Sequence, residues 1–107
     1  MYTPQYTNAE FNAKYTADIY DENGRPYGQT ISLPIAGSPD ITHDCLIAHV
    51  YTQKNGKYML VISNASANDI YKVVCDFPER DSALFYAYDW VKANIGFEFL
   101  AFFAKVA

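Results

Sequence analysis

Basic residues are scarce in this chain: eight Lys and Arg stand against twelve Asp and Glu, for a formal charge of −4. Nucleic acids and anionic membranes are held through clustered Lys and Arg, so this balance argues against both and favours a protein partner with a basic surface. Glycine is thin as well. The five glycines, at 24, 28, 37, 56 and 96, stand apart, which excludes a phosphate-cradling loop. Only two cysteines occur, Cys45 and Cys75, and they do not form a Cys-x-x-Cys pair. That excludes a disulfide scaffold and the usual zinc-finger spacing. Neither a Gly-x-Ser-x-Gly elbow nor a His-Glu-x-x-His helix is written anywhere. Uncharged apolar runs are short too, because Asp89, Lys92, Glu98 and Lys105 interrupt the greasiest segment, so none reaches the roughly 20 residues of a membrane span. The start, MYTPQYTNAEF, lacks the basic and apolar regions of a secretory signal. The expectation is a soluble, cytoplasmic chain with free cysteines, no metal and no cofactor.

What the chain does have is apolar and aromatic mass. Half of its 107 residues are apolar, and 17 % are aromatic, including ten tyrosines. At this length one globular domain spanning 1–107 buries about two-thirds of the surface its unfolded chain exposes, enough for a core without staples.

The first third admits two readings. Thr7-Asn8-Ala9-Glu10 fits a capping box, and Glu10 stands four residues before Lys14, as in a helix ending near Asn23-Gly24. Against that, Tyr15, Ala17 and Ile19 alternate with Lys14, Thr16 and Asp18. Asp21-Glu22-Asn23-Gly24 then reads as a hairpin loop, with a second strand over Gln29 to Ile35. The hairpin is the favoured reading, with 1–12 as an extended arm and residues 8–22 as the segment where helix and strand compete.

The middle is clearer. Cys45 to Thr52 and Lys57 to Ser63 flank Asn55-Gly56, the strongest short hairpin signal, and Ile70 to Phe77 reads as another strand with Val73, Cys75 and Phe77 on one face. Pro78 stops the sheet, and Asp81 or Ser82 can cap a helix whose core stripe is Leu84, Tyr88, Val91 and Ile95, ending at Asn94 and Gly96. From Phe97 both faces are apolar, which predicts a final buried strand. The fold class expected is α+β: a mostly antiparallel sheet of five to six strands built from β-hairpins, one helix near the C-terminus, then that strand.

Two candidate sites emerge. His43, Cys45 and His49 share one face of a strand, an arrangement that can activate a thiolate or, joined by Cys75, bind a metal; this supports a small enzyme or ligand-binding domain. The other candidate lies on the C-terminal helix. Tyr86 and Trp90 lie one turn apart and off the core stripe, Phe85 lies on the other side, and Asp89 marks the wet face. Aromatics of this kind are favoured anchors at protein interfaces or in a homodimer. Because no catalytic motif is present, the favoured expectation is a non-enzymatic protein-binding module using Phe85, Tyr86, Asp89 and Trp90. A small inhibitor or accessory protein of the kind phages and mobile elements encode fits that size and charge.

Overall fold

The computed structural model describes residues 4–38, 41–66 and 68–94, with 36–38 and 41–44 described by backbone alone. Thr7 opens the first helix with a reciprocal pair of bonds. Its hydroxyl accepts from the Glu10 backbone N–H at 3.2 Å, and its own N–H donates to Glu10 Oε1 at 2.8 Å. With these donors satisfied, Asn8–Ile19 form α1. The favoured hairpin reading of this segment is therefore corrected. Phe11, Tyr15 and Ile19, one turn apart, pack towards the sheet, whereas Ala17, which strand alternation would bury, is exposed. The extended arm expected over 1–12 is corrected for its described part, residues 4–12, since Tyr6–Thr7 form a short strand, β1, and Phe11 enters the core. Lys14 ties the two elements together, donating to the Tyr6 hydroxyl at 3.2 Å and lying 5.3 and 5.4 Å from the Tyr6 and Tyr15 ring centroids. The Asp21–Gly24 turn does form, with Gly24 at φ +76° and Asp21 Oδ1 accepting from the Asn23 and Arg25 N–H groups at 2.9 Å. It follows a helix, however, instead of joining two strands.

Ile31–Ser38 (β2), Ile41–Thr52 (β3), Tyr58–Asn64 (β4) and Asp69–Phe77 (β5) join β1 in a five-stranded, wholly antiparallel sheet of order β1-β5-β4-β3-β2. The α+β class is as read from the sequence, with two helices among the described residues in place of the one expected; the final strand expected from Phe97 lies outside the described residues. The Asn55-Gly56 turn joins β3 to β4 as expected, with Gly56 at φ +84° and unbroken register from Thr52↔Tyr58 to Leu46↔Asn64.

Strand β5 does not keep one face. Val73 and Cys75 pack on the α1 side, but Phe77 packs on the opposite side, correcting the expected Val73-Cys75-Phe77 face. The cause is Asp76, which among the described residues is the one non-glycine at positive φ, +68°. It inserts an extra residue between the pairs Tyr58↔Phe77 and Leu60↔Val74 and so inverts the alternation beyond it. The strain is held by side chains from the β3–β4 turn. Gln53, only 6 % exposed, accepts from the Asp76 N–H at 2.7 Å and donates to its carboxylate at 3.2 Å, and Asn55 Nδ2 donates to the same oxygen at 2.9 Å.

After Pro78, Arg80–Asn94 form α2 on the face opposite α1, with Asp81 in the first turn, where a carboxylate complements the helix dipole. Its buried stripe is Ala83, Ala87 and Val91. The expected stripe of Leu84, Tyr88 and Val91 is corrected for its first two members, which are half-buried flanks; Ile95 lies outside the described residues. Small side chains take the line of closest approach because they let the helix backbone sit low on Ile35, Leu46, Ala48, Val50, Leu60 and Ile62, and larger ones splay to either side.

Two substitutions test this framework. Thr7→Ala removes the helix cap and is expected to lower unfolding free energy by about 1 kcal/mol, read from a urea titration followed by far-UV circular dichroism. Gln53→Ala leaves the bulge donor and carboxylate underpartnered and is expected to cost about 1–3 kcal/mol in the same assay.

Candidate functional site

The two faces of the sheet are covered unequally. α2 lies across β2 to β5, whereas α1 packs at the β1–β5 end of its face. The β2–β3 end of the α1 face is thereby left half open. It carries Ser32 and Pro34 on β2, both exposed, and Cys45, Ile47, His49 and Tyr51 on β3, all half-buried.

His49 is the polar centre of this region. Its Nδ1 is 2.8 Å from Ser32 Oγ, across the Ser32↔His49 register pair, and its Nε2 is 3.0 Å from Ser63 Oγ on β4. Ser63 is fully buried, and its hydroxyl donates to the Asn64 carbonyl at 3.1 Å. The imidazole lies near-parallel to the Tyr51 ring, with centroids 6.1 Å apart and planes at 24°. Beyond Ser63, a cleft of about 210 Å³ opens between α1 and the sheet, with Asn8, Asn12 and Tyr20 among its walls. Burial pushes the His49 imidazole below its ordinary value.

The His43, Cys45 and His49 grouping is only partly assembled. Strand alternation does place Cys45 and His49 on one face, but both His49 nitrogens bond to serines, leaving neither for the Cys45 thiol. The His43 and Asp44 side chains lie outside the described residues. Cys45 and Cys75 are both free and half-buried, and burial, with Asp76 and Asp18 nearby, pushes the Cys75 thiol up and away from the reactive thiolate. Among the described residues, no three His, Cys, Asp or Glu side chains are grouped to hold a metal ion.

The α2 residues separate into two kinds. Tyr86 meets Phe77 edge-on at 5.7 Å, and both Tyr86 and Trp90 pack half-buried against the core. Phe85 is 69 % exposed and lies on the helix side opposite the Ala83–Ala87–Val91 stripe. One turn before and after it stand exposed Asp81 and Asp89; Asp89 is 75 % exposed and meets Lys92 at 3.2 Å. Such an exposed pair contributes little to stability. The sheet tyrosines are divided between the two faces: Tyr51 meets Tyr20 on the α1 side, while Tyr58 and Tyr71 pack on the α2 side.

Among the described residues no helix is long and apolar enough to cross a membrane. No protein-family model, curated protein or solved structure matches the chain.

The depressed His49 value has a thermodynamic sign. Below about pH 6.5 the unfolded chain binds the proton that the folded imidazole resists, so His49 contributes stability above that pH and loses it as pH falls. The urea midpoint is expected to fall between pH 7 and pH 5, and His49→Gln is expected to flatten that part of the curve.

Proposed function

We propose that the chain is a protein-binding module that engages its partner through the outer face of α2. The observation that carries this reading is Phe85: a large aromatic side chain, 69 % exposed in mid-helix, where packing offers no reason for it. Asp81 and Asp89 bracket it with negative charge, matching a partner whose apolar pocket has a basic rim. Tyr86 and Trp90 form half-buried shoulders that hold α2 on the sheet and lend their outer edges to the contact. The chain's small size and net charge of −4 suit an inhibitor or accessory factor that occupies a basic surface on its target.

The reading ranks the aromatics by their surroundings. Phe85→Ala is expected to leave the melting temperature unchanged and to weaken partner capture by at least about tenfold, as truncating an anchor does. Trp90→Ala is expected to lower the melting temperature as well. The measurement is an affinity capture from the native host by the unmodified chain and by Phe85→Ala, at about 0.1 M and about 1 M salt, with mass spectrometry of what is retained. A protein lost with Phe85→Ala and weakened by salt supports the reading. An identical retained set from both chains overturns it.

A further inference from the structure

The Ser32, His49 and Ser63 hydrogen bonds have a single direction that satisfies all of them. Ser63 has one proton, and the Asn64 carbonyl can only accept, so that proton goes to the carbonyl. Ser63 Oγ must then accept from His49, which places the imidazole proton on Nε2. His49 Nδ1 is left as a bare acceptor, and at 2.8 Å it takes the Ser32 hydroxyl proton. A hydroxyl is thus bonded to the basic nitrogen of an imidazole whose opposite nitrogen is anchored. Burial keeps that imidazole neutral at neutral pH, the form a general base needs. The two serines differ in access: Ser63 is fully buried, whereas Ser32 is exposed on the outermost strand of the described sheet. Two residues along on the same face, the pair Pro34↔Ile47 supplies an apolar shelf beside it.

We propose that Ser32 is a nucleophile activated by His49, and that it accepts the acyl group of a small ester with an apolar acyl chain, which rests on Pro34 and Ile47. Ser32 Oγ forms the new bond to the ester carbonyl carbon as its proton passes to His49 Nδ1. The ester C–O bond then breaks, and the imidazolium returns the proton to the departing alcohol. A water molecule, deprotonated by His49 in the same way, hydrolyses the acyl-serine and restores the hydroxyl. His49 is held by Ser63 and by Tyr51 throughout, so its ring needs no reorientation between the two steps. This chemistry lies on the opposite face of the sheet from Phe85 and does not depend on the binding role of α2.

The test is covalent labelling of the full chain with an alkyl fluorophosphonate, in which the Ser32 oxygen–phosphorus bond forms as the phosphorus–fluorine bond breaks and fluoride leaves with the serine proton. Peptide mapping is expected to place the adduct on Ser32, at a rate that rises with pH as His49 loses its proton and then levels off. The exposed hydroxyl of Ser66 is the internal comparison. Ser32→Ala abolishes the adduct, and His49→Gln slows it by at least about 100-fold, the scale of general-base assistance. Labelling of Ser32 no faster than Ser66, an unchanged rate in a folded His49→Gln chain, or a rate without an inflection in the imidazole range each overturn the proposal. Should His49→Gln fail to fold, the pH profile of the unmodified chain decides alone.

Discussion

Strand β4 is buried along five consecutive residues, Met59 to Ser63, and so on both of its faces. A strand in that condition cannot be served by one layer. Met59 and Val61 need cover from one side, Leu60 and Ile62 from the other, and the chain meets the need with a helix on each face. Each remaining element either flanks β4 or covers it. β3 and β5 pair with it directly, β1 and β2 extend the sheet beyond them, and α1 and α2 close the two cores.

The two covers differ in kind, and the difference allots the surfaces. α2 lies close along a line of small residues and spans most of its face, and its far side carries the exposed Phe85. α1 is held at one end by its capping box and its Tyr6–Lys14–Tyr15 tie, and it covers the β1–β5 end. The opposite end of that face is left with a histidine whose polar demands are met within the sheet.

Features written in consecutive residues were legible in the sequence, and those arising from pairing were not. The Asn55-Gly56 hairpin and the helix after Pro78 carry their signals locally, and the structure has both. At α1 two local signals conflicted. The Thr7–Glu10 box pointed to a helix and Tyr15-Ala17-Ile19 to a strand, and the box prevailed because burying every fourth residue brings Phe11 into the core as well. The four consecutive apolar residues Met59 to Ile62 are a signal of two-sided burial, but such a run alone does not distinguish a central strand from a buried helical segment. The switch of face in β5 depends on Gln53 and Asn55, over twenty residues away, and could not be read locally. Phe85 was visible as an aromatic off the core stripe, though its priority over Tyr86 and Trp90 follows only from packing. The serines around His49 lie 17 and 14 residues from it, brought together by strand register alone.

The lateral limits of the sheet bear on how copies of this chain behave when crowded. An open strand with regular spacing is a template on which another chain can add its own strand, and repetition of that step grows fibrils. Among the described residues, one limit is β1, two residues long, too short to seed such growth. At the other stands β2, where Pro34 lacks a donor and the register slips twice, between Pro34 and Ala36 and again between Ala36 and Ser38. The same irregular strand that presents Ser32 to solvent is thus a poor template for the addition of a further strand.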